Sequence, residues 1–203
     1  MSKFYAVANG ASGTPNIYES WPECQKEIKG VKGVIYKSFT TRELAQNFLD
    51  MQTSNCKTLE TADHTLLTIY VDGSFKEVVG NYSYGVVAVL NDEVVYEESG
   101  AGNKEPEAVA LRNISGELTG AMKAVTYAVK NGYKEINLCY DYQGIECWAL
   151  GTWNRKAPIA EHYHGFMQEN SKLIKINFIK IKGHTGVTYN ERADVLAGMA
   201  LGE

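Results

Sequence analysis

Four carboxylates stand where their types and spacing could do chemistry together: Asp72, Glu117, Asp141 and Asp194. Asp72 closes the apolar and β-branched run Leu66-Leu67-Thr68-Ile69-Tyr70-Val71 and is followed by Gly73-Ser74, the pattern of a strand that delivers an acid to a rim before a turn. Asp141 closes a second such run, Glu135-Ile136-Asn137-Leu138-Cys139-Tyr140. Glu117 is expected in the first turn of a helix over 116–130, and Asp194 in the first turn or so of a last helix starting near Asn190. Each has a plainer reading, because Asp-Gly often only marks a turn and helix starts accept acids through the dipole. Four acids that converge are another matter, since crowded like charges are costly unless something positive sits among them. Hard oxygen ligands suit Mg²⁺, with Mn²⁺ able to substitute. Two such ions about 4 Å apart can activate a water on one side of a phosphorus and stabilise the leaving oxygen on the other. The four acids therefore point to a metal-dependent phosphodiesterase, if the fold brings them together. His184, in the loop Gly183-His184-Thr185-Gly186, is either an exposed loop histidine or a mobile imidazole that moves a proton beside that site.

The elements that must position these groups follow from periodicity. Strand patterns over 65–72, Gly85–Leu90 and Val94–Tyr96, with the turn Asn91-Asp92, predict three antiparallel strands. Leu118, Ala121, Met122, Val125 and Val129 recur at three- and four-residue steps, with Asn113 or Ser115 near the start and Asn131-Gly132 at the close. A strand over 135–141, helices around 144–150 and 159–170, a strand over 173–181 and the terminal helix complete an α/β unit with a mixed sheet and helices on its faces. If the strands ending in Asp72 and Asp141 are parallel neighbours, both acids reach the edge where open α/β sheets place ligands.

Upstream lies a smaller unit of ββαβα pattern. Strands are expected at 3–8, Ile17-Tyr18 and 34–39. Ser20 is placed to cap a helix with Pro22 in its first turn, and Thr40 or Thr41 to cap a final helix carrying Leu44, Phe48 and Leu49. Residues 50–64 are mostly polar without periodicity and read as a linker. The domain boundaries expected are 1–49, 50–64 and 65–203.

Over 203 residues the formal net charge is -4, which argues against coating nucleic acid by bulk charge. The balance is uneven: residues 1–50 hold six Lys/Arg against five Asp/Glu, and residues 51–203 fourteen against nineteen. No stretch is long and apolar enough to span a bilayer and no leader pattern opens the chain, so a cytoplasmic protein without a membrane partner is expected. The four cysteines form no CxxC, which disfavours zinc and disulfide scaffolds.

Five stretches in order resemble type 1 ribonuclease H: Tyr70-Val71-Asp72-Gly73-Ser74, Ser115-Gly116-Glu117-Leu118-Thr119-Gly120-Ala121, Tyr140-Asp141-Tyr142-Gln143-Gly144-Ile145, Lys182-Gly183-His184-Thr185-Gly186 and Asn190-Glu191-Arg192-Ala193-Asp194. The resemblance implies a ribonuclease H-like mixed five-stranded sheet with helices on both faces. It implies endonucleolytic cleavage of the RNA strand of an RNA·DNA hybrid, leaving 5′-phosphate and 3′-hydroxyl ends. It puts the metal-binding quartet on Asp72, Glu117, Asp141 and Asp194, with two ions per site, and the loop histidine on His184. Ser74 and Asn113 match positions near the hybrid backbone in relatives. Residues 3–48 resemble the family's hybrid-binding domain, which implies that Trp21 and Tyr36 offer aromatic surface to the DNA strand and that Lys37 reaches a phosphate. A monomer without an obligate protein partner is expected.

Two departures stand out. Between Trp148 and Phe166 only Arg155 and Lys156 occupy a place where some relatives insert a lysine-rich protrusion. Ser38 and the loop 9–16 lack the basic residues common in the hybrid-binding domain, so weak, salt-sensitive binding is expected of it. An exonuclease of related architecture, and a non-catalytic hybrid-binding protein, are the competing readings.

Overall fold

The computed structural model describes all residues except 1–2, 54–58, 60–61, 64, 183–185 and 203, with no side chain described at 47 or 50–53. The chain divides into two compact units, Met1–Cys56 and Lys57–Glu203.

In the first unit, β1 (Phe4–Val7), β2 (Asn16–Tyr18) and β3 (Tyr36–Phe39) form an antiparallel sheet of order β2-β1-β3. Helix α1 (Trp21–Ile28) starts where Ser20 Oγ accepts from the Glu23 amide and Pro22 occupies the first turn. Helix α2 (Arg42–Thr53) is capped by Thr41, whose Oγ1 accepts from the Leu44 amide at 3.2 Å, so Thr41 rather than Thr40 does this work. Alternation along the strands gives the sheet two faces. Ala6, Ile17 and Phe39 pack beneath Ala45, Phe48 and Leu49 of α2. The other face carries Tyr5, Val7 and Tyr36, which share a register. Helix α2 continues to Thr53, four residues into the stretch expected to be linker.

The second unit holds the five-stranded sheet expected, in order β6-β5-β4-β7-β8. Strands β4 (Leu67–Lys76), β5 (Asn81–Leu90) and β6 (Glu93–Ala101) pair antiparallel. The β5–β6 turn uses Asn91 and Asp92, both at positive φ (52° and 63°), as a tight hairpin requires. A short helix α3 (Pro106–Val109), not foreseen from the sequence, leads into α4 (Asn113–Lys130). Strand β7 (Glu135–Tyr140), helices α5 (Gly144–Ala149) and α6 (Pro158–Asn170), strand β8 (Lys175–Lys180) and helix α7 (Thr188–Met199) follow. Strands β7 and β8 run parallel to each other, and β7 runs parallel to β4.

Period-two alternation sorts the β4 side chains. Leu67, Ile69 and Val71 pack with Leu118, Ala121 and Val125 of α4, whereas Tyr70 joins Ala193 and Leu196 of α7 on the opposite face. Leu59 and Ala62 also pack into the α7-side cluster, and the Asp63 carbonyl accepts from Asn137 Nδ2 at 2.9 Å. These residues of the expected linker stretch therefore lie against the second unit. Among the described residues no helix is long and apolar enough to cross a membrane. Cys24 and Cys139 are buried, unbridged thiols.

Candidate active site

The β4–β7 ladder ends at Tyr70↔Cys139, after which β4 runs on beside β5 to Lys76. Continuing that parallel register by two residues sets Asp72 level with Asp141, just past the end of β7. One strand on each side then leads away in opposite directions through the sheet, the arrangement in which α/β sheets open a crevice.

Asp72, Glu117 and Asp141 each bring a carboxylate oxygen into one group in which these atoms lie within 4.8 Å of one another. Asp72 is 7 % exposed and Glu117 2 %. The Gly73 amide donates to Asp72 Oδ1 at 2.7 Å and fixes its orientation. Because α4 starts at Asn113, Glu117 sits in the second turn and not in the first. A first-turn dipole role is therefore not open to it, and its burial against two further acids needs another reason. Asp194 likewise falls in the second turn of α7, since that helix starts at Thr188.

What carries Glu117 to β4 is the removal of side chains between helix and sheet. A Cβ on Gly116 would lie 2.0 Å from the Ser83 carbonyl oxygen and 2.8 Å from Gly73 Cα. One on Gly73 would lie 2.3 Å from the Asn113 carbonyl oxygen and 2.5 Å from the Glu117 amide. Two facing glycines thus let the backbones touch, and the next residue along α4 is the acid. Gly85, paired with Asp72 in the ladder, does the same on the other face, where a Cβ would lie 1.9 Å from the Ala193 carbonyl oxygen. Ser83 Oγ donates to the Ala197 carbonyl at 2.6 Å and anchors the same helix. Asp194, next in sequence to Ala193, is half-buried and is not one of the three acids grouped above.

Burial first, then the charges of Asp72 and Asp141 and a hydrogen bond with Asp141, push the Glu117 carboxyl well above the usual carboxylate range. Lys180 draws it back. The residues fit a divalent ion on three counts. The donors are all hard carboxylate oxygens, they converge, and Glu117 Oε2 is buried without a hydrogen-bond partner.

Ser74 lies two residues beyond Asp72 on the same face of β4 and is half-buried. Asn113 is exposed at the first position of α4. Neither it nor Ser115 caps the helix: Arg112 precedes it at φ 54° without a side-chain cap, and Ser115 Oγ donates to the Ala108 carbonyl at 2.6 Å. His184 lies outside the described residues. Between α5 and α6, Arg155 is ion-paired with Glu161 at 2.9 Å while Lys156 is exposed.

In the first unit Trp21 is 42 % exposed and Tyr36 46 %. Their rings lie 6.3 Å apart, and Tyr5 stands 5.5 Å from Trp21. Trp21 is therefore part of a surface aromatic group and not a core anchor. Lys37, the neighbour of Tyr36 on a strand, points to the opposite face, with its ammonium 5.8 Å from the Phe39 ring.

Gly73, expected to begin a turn, lies instead inside β4, and the contacts of Gly85, Gly116 and Lys180 were not foreseen from the sequence. Isolated glycines inside strand and helix patterns are the signal for close backbone approach. Lys180 carries no such signal, because its place depends on the Tyr140↔Lys180 register.

Comparison with known proteins bears on the whole chain. A family model described as RNase H matches residues 64–201, and one described as the ribonuclease H1 N-terminal domain matches residues 3–49. A ribonuclease H of Saccharomyces cerevisiae is 24 % identical, over 96 % of this chain and 67 % of its own length. One from Cyanothece sp. is 30 % identical, over 64 % of this chain and 85 % of its own. The crystal structure of ribonuclease H1 from Halobacterium salinarum superposes with a TM-score of 0.56 at 25 % identity, over 66 % of this chain and 96 % of that one.

Proposed function

The chain belongs to the ribonuclease HI family, with an N-terminal hybrid-binding-like domain, and from that premise we propose that it cuts the RNA strand of RNA·DNA hybrids endonucleolytically. The observation that carries the proposal is the convergence of Asp72, Glu117 and Asp141 at the end of the parallel strands. Asp72, Glu117, Asp141 and Asp194 would hold two divalent ions, Mg²⁺ or Mn²⁺. When bound, these supply the activation of the attacking water and the stabilisation of the leaving oxygen.

The chain's own residues do the rest. Asp72, pinned by the Gly73 amide and walled in by α4 and α7, holds its carboxylate in one orientation, so little reorganisation is needed when substrate arrives. Water adds to phosphorus and the P–O3′ bond breaks, which leaves a 5′-phosphate on one fragment and a 3′-hydroxyl on the other. His184, between β8 and α7 in the chain, is assigned the movement of a proton at the reacting oxygens, for which an imidazole suits neutral pH. Glu117 is assigned a second task, accepting from a ribose 2′-hydroxyl of the RNA, which is the group that distinguishes RNA from DNA. Ser74 and Asn113, on the rim, are assigned to the hybrid backbone.

Residues 1–49 are proposed as the hybrid-binding domain, with Tyr5, Trp21 and Tyr36 as a sequence-tolerant stacking surface and Lys37 as a phosphate contact from the opposite face of the sheet. The exposure of Trp21 and Tyr36 and the contacts of Trp21 with Tyr5 and Tyr36 support this reading.

The test is incubation with labelled RNA·DNA hybrid and Mg²⁺, beside duplex RNA, duplex DNA and single-stranded RNA, with Asp72→Asn in parallel. Cutting of the RNA strand of the hybrid alone, lost in Asp72→Asn, is the expected result. Hybrid that is bound but not cut with Mg²⁺ or Mn²⁺ would leave only a binding protein. A circular RNA strand in the hybrid that resists cutting would point to an exonuclease.

A further inference from the structure

Lys180 brings a positive charge to the acids. Lys180 ends β8, opposite Tyr140 in the parallel ladder. It is half-buried, its ammonium lies 5.8 Å from the Tyr140 ring, and it donates to the main-chain carbonyl of Asp141. Its charge reaches Glu117, where it opposes the effect of Asp72 and Asp141 on that carboxyl. We propose that Lys180 is a built-in counter-ion of the carboxylate cluster, clasping the end of β7 so that the acids stay together before a divalent ion arrives, and thereby setting how tightly that ion is held.

The reasoning is electrostatic. Three carboxylate oxygens within 4.8 Å, two of them on buried residues, repel one another when no ion is present. A fixed ammonium beside them offsets part of that repulsion, and its bond to the Asp141 carbonyl places it independently of any ion. The same charge repels an incoming divalent ion. A unit charge and a doubly charged ion at a separation of order 8 Å, screened as in water, alter affinity by about fivefold. Lys180 should therefore act with opposite signs on two observables: it stabilises the metal-free protein and weakens ion binding. A residue that merely packs would move both the same way, or leave ion binding alone.

This inference rests on the reading of the acids as metal ligands, and the test separates the two. Mn²⁺ binding is followed by electron paramagnetic resonance of the free ion, and melting of the metal-free protein by circular dichroism. The full chain is compared with Lys180→Gln, Lys180→Met, Lys180→Arg and Asp72→Asn. Lys180→Gln and Lys180→Met should melt lower without metal yet bind Mn²⁺ about fivefold more tightly, with the gain shrinking at high salt. Lys180→Arg, which keeps the charge, should resemble the parent in both. If both uncharged variants bind Mn²⁺ no more tightly than the parent, the counter-ion role is overturned while the metal site stands. If the parent itself binds no Mn²⁺ that Asp72→Asn abolishes, the metal reading fails and the inference with it.

Discussion

The two units of this chain offer surfaces of opposite character. In the second, Asp72 and Glu117 are almost wholly buried and their positions follow from backbone contacts that tolerate no extra atom. In the first, Tyr5, Trp21 and Tyr36 form an aromatic group, with Trp21 and Tyr36 well exposed, on a sheet of only three short strands. Chemistry at a phosphorus needs groups held in place against their mutual repulsion, and such a site costs stability. Adhesion to a nucleic acid of any sequence needs accessible rings, and little else has to be exact in position. One unit spends stability on geometry, while the other leaves apolar area uncovered.

That contrast can be broken at several points. The largest effect is expected from Asp72→Asn or Asp141→Asn, which should lower kcat on hybrid by at least about 10³-fold, of order 4 kcal/mol in the barrier, with hybrid binding retained. Single-turnover cleavage beside a binding titration checks this. Next, Gly116→Ala should force α4 off the sheet. A fall in folding stability of about 3 kcal/mol, read by urea unfolding, together with weaker divalent-ion binding is expected. An unchanged variant would mean that the close Gly73–Gly116 contact does not position Glu117.

Trp21→Ala should act on the other unit alone. Hybrid affinity, measured by anisotropy in the Asp72→Asn background, should drop by about tenfold, within the 1–3 kcal/mol typical of a stacked base. The kcat at saturating hybrid should not change. The smallest effect concerns pH. Glu117 has a raised carboxyl in the folded, metal-free protein, so the folded state holds a proton that the unfolded chain releases near the usual value of 4.5. Its contribution to stability is then fully present below that value and is lost as pH rises above it. Melting of the metal-free protein should decline over that rise, and the decline should be absent in Glu117→Gln.

Much of the fold was legible in the sequence because alternation and helical spacing are strong over residues 65–201. The order of strands and helices, the Asn91-Asp92 turn and the Ser20 cap all follow from local patterns. Helix α3 was missed, since four residues carry no period, and the true start of α4 moved Glu117 by a turn. Asp72 and Asp141 were visible as residues, but the turn expected after Asp72 is instead the further run of β4 to Lys76, and the means of gathering the acids was not visible. Gly73, Gly85 and Gly116 act through contacts between elements far apart in sequence, and Lys180 through a strand register. Lys37 shows the converse: adjacency to Tyr36 suggested a shared surface, and strand alternation turns it to the other face.

The structure also refines where the units can be parted. A cut after residue 64 would strip Leu59, Ala62 and Asp63 from the second unit, so separation belongs nearer residue 56. The most direct test of the division of labour is cleavage of labelled hybrid by residues 57–203 alone, with kcat and KM compared with the full chain at low salt. An unchanged kcat with KM raised by about tenfold is the expected result. A folded fragment that binds Mg²⁺ yet cuts no RNA strand at saturating hybrid would contradict the claim that the carboxylate site suffices for the chemistry.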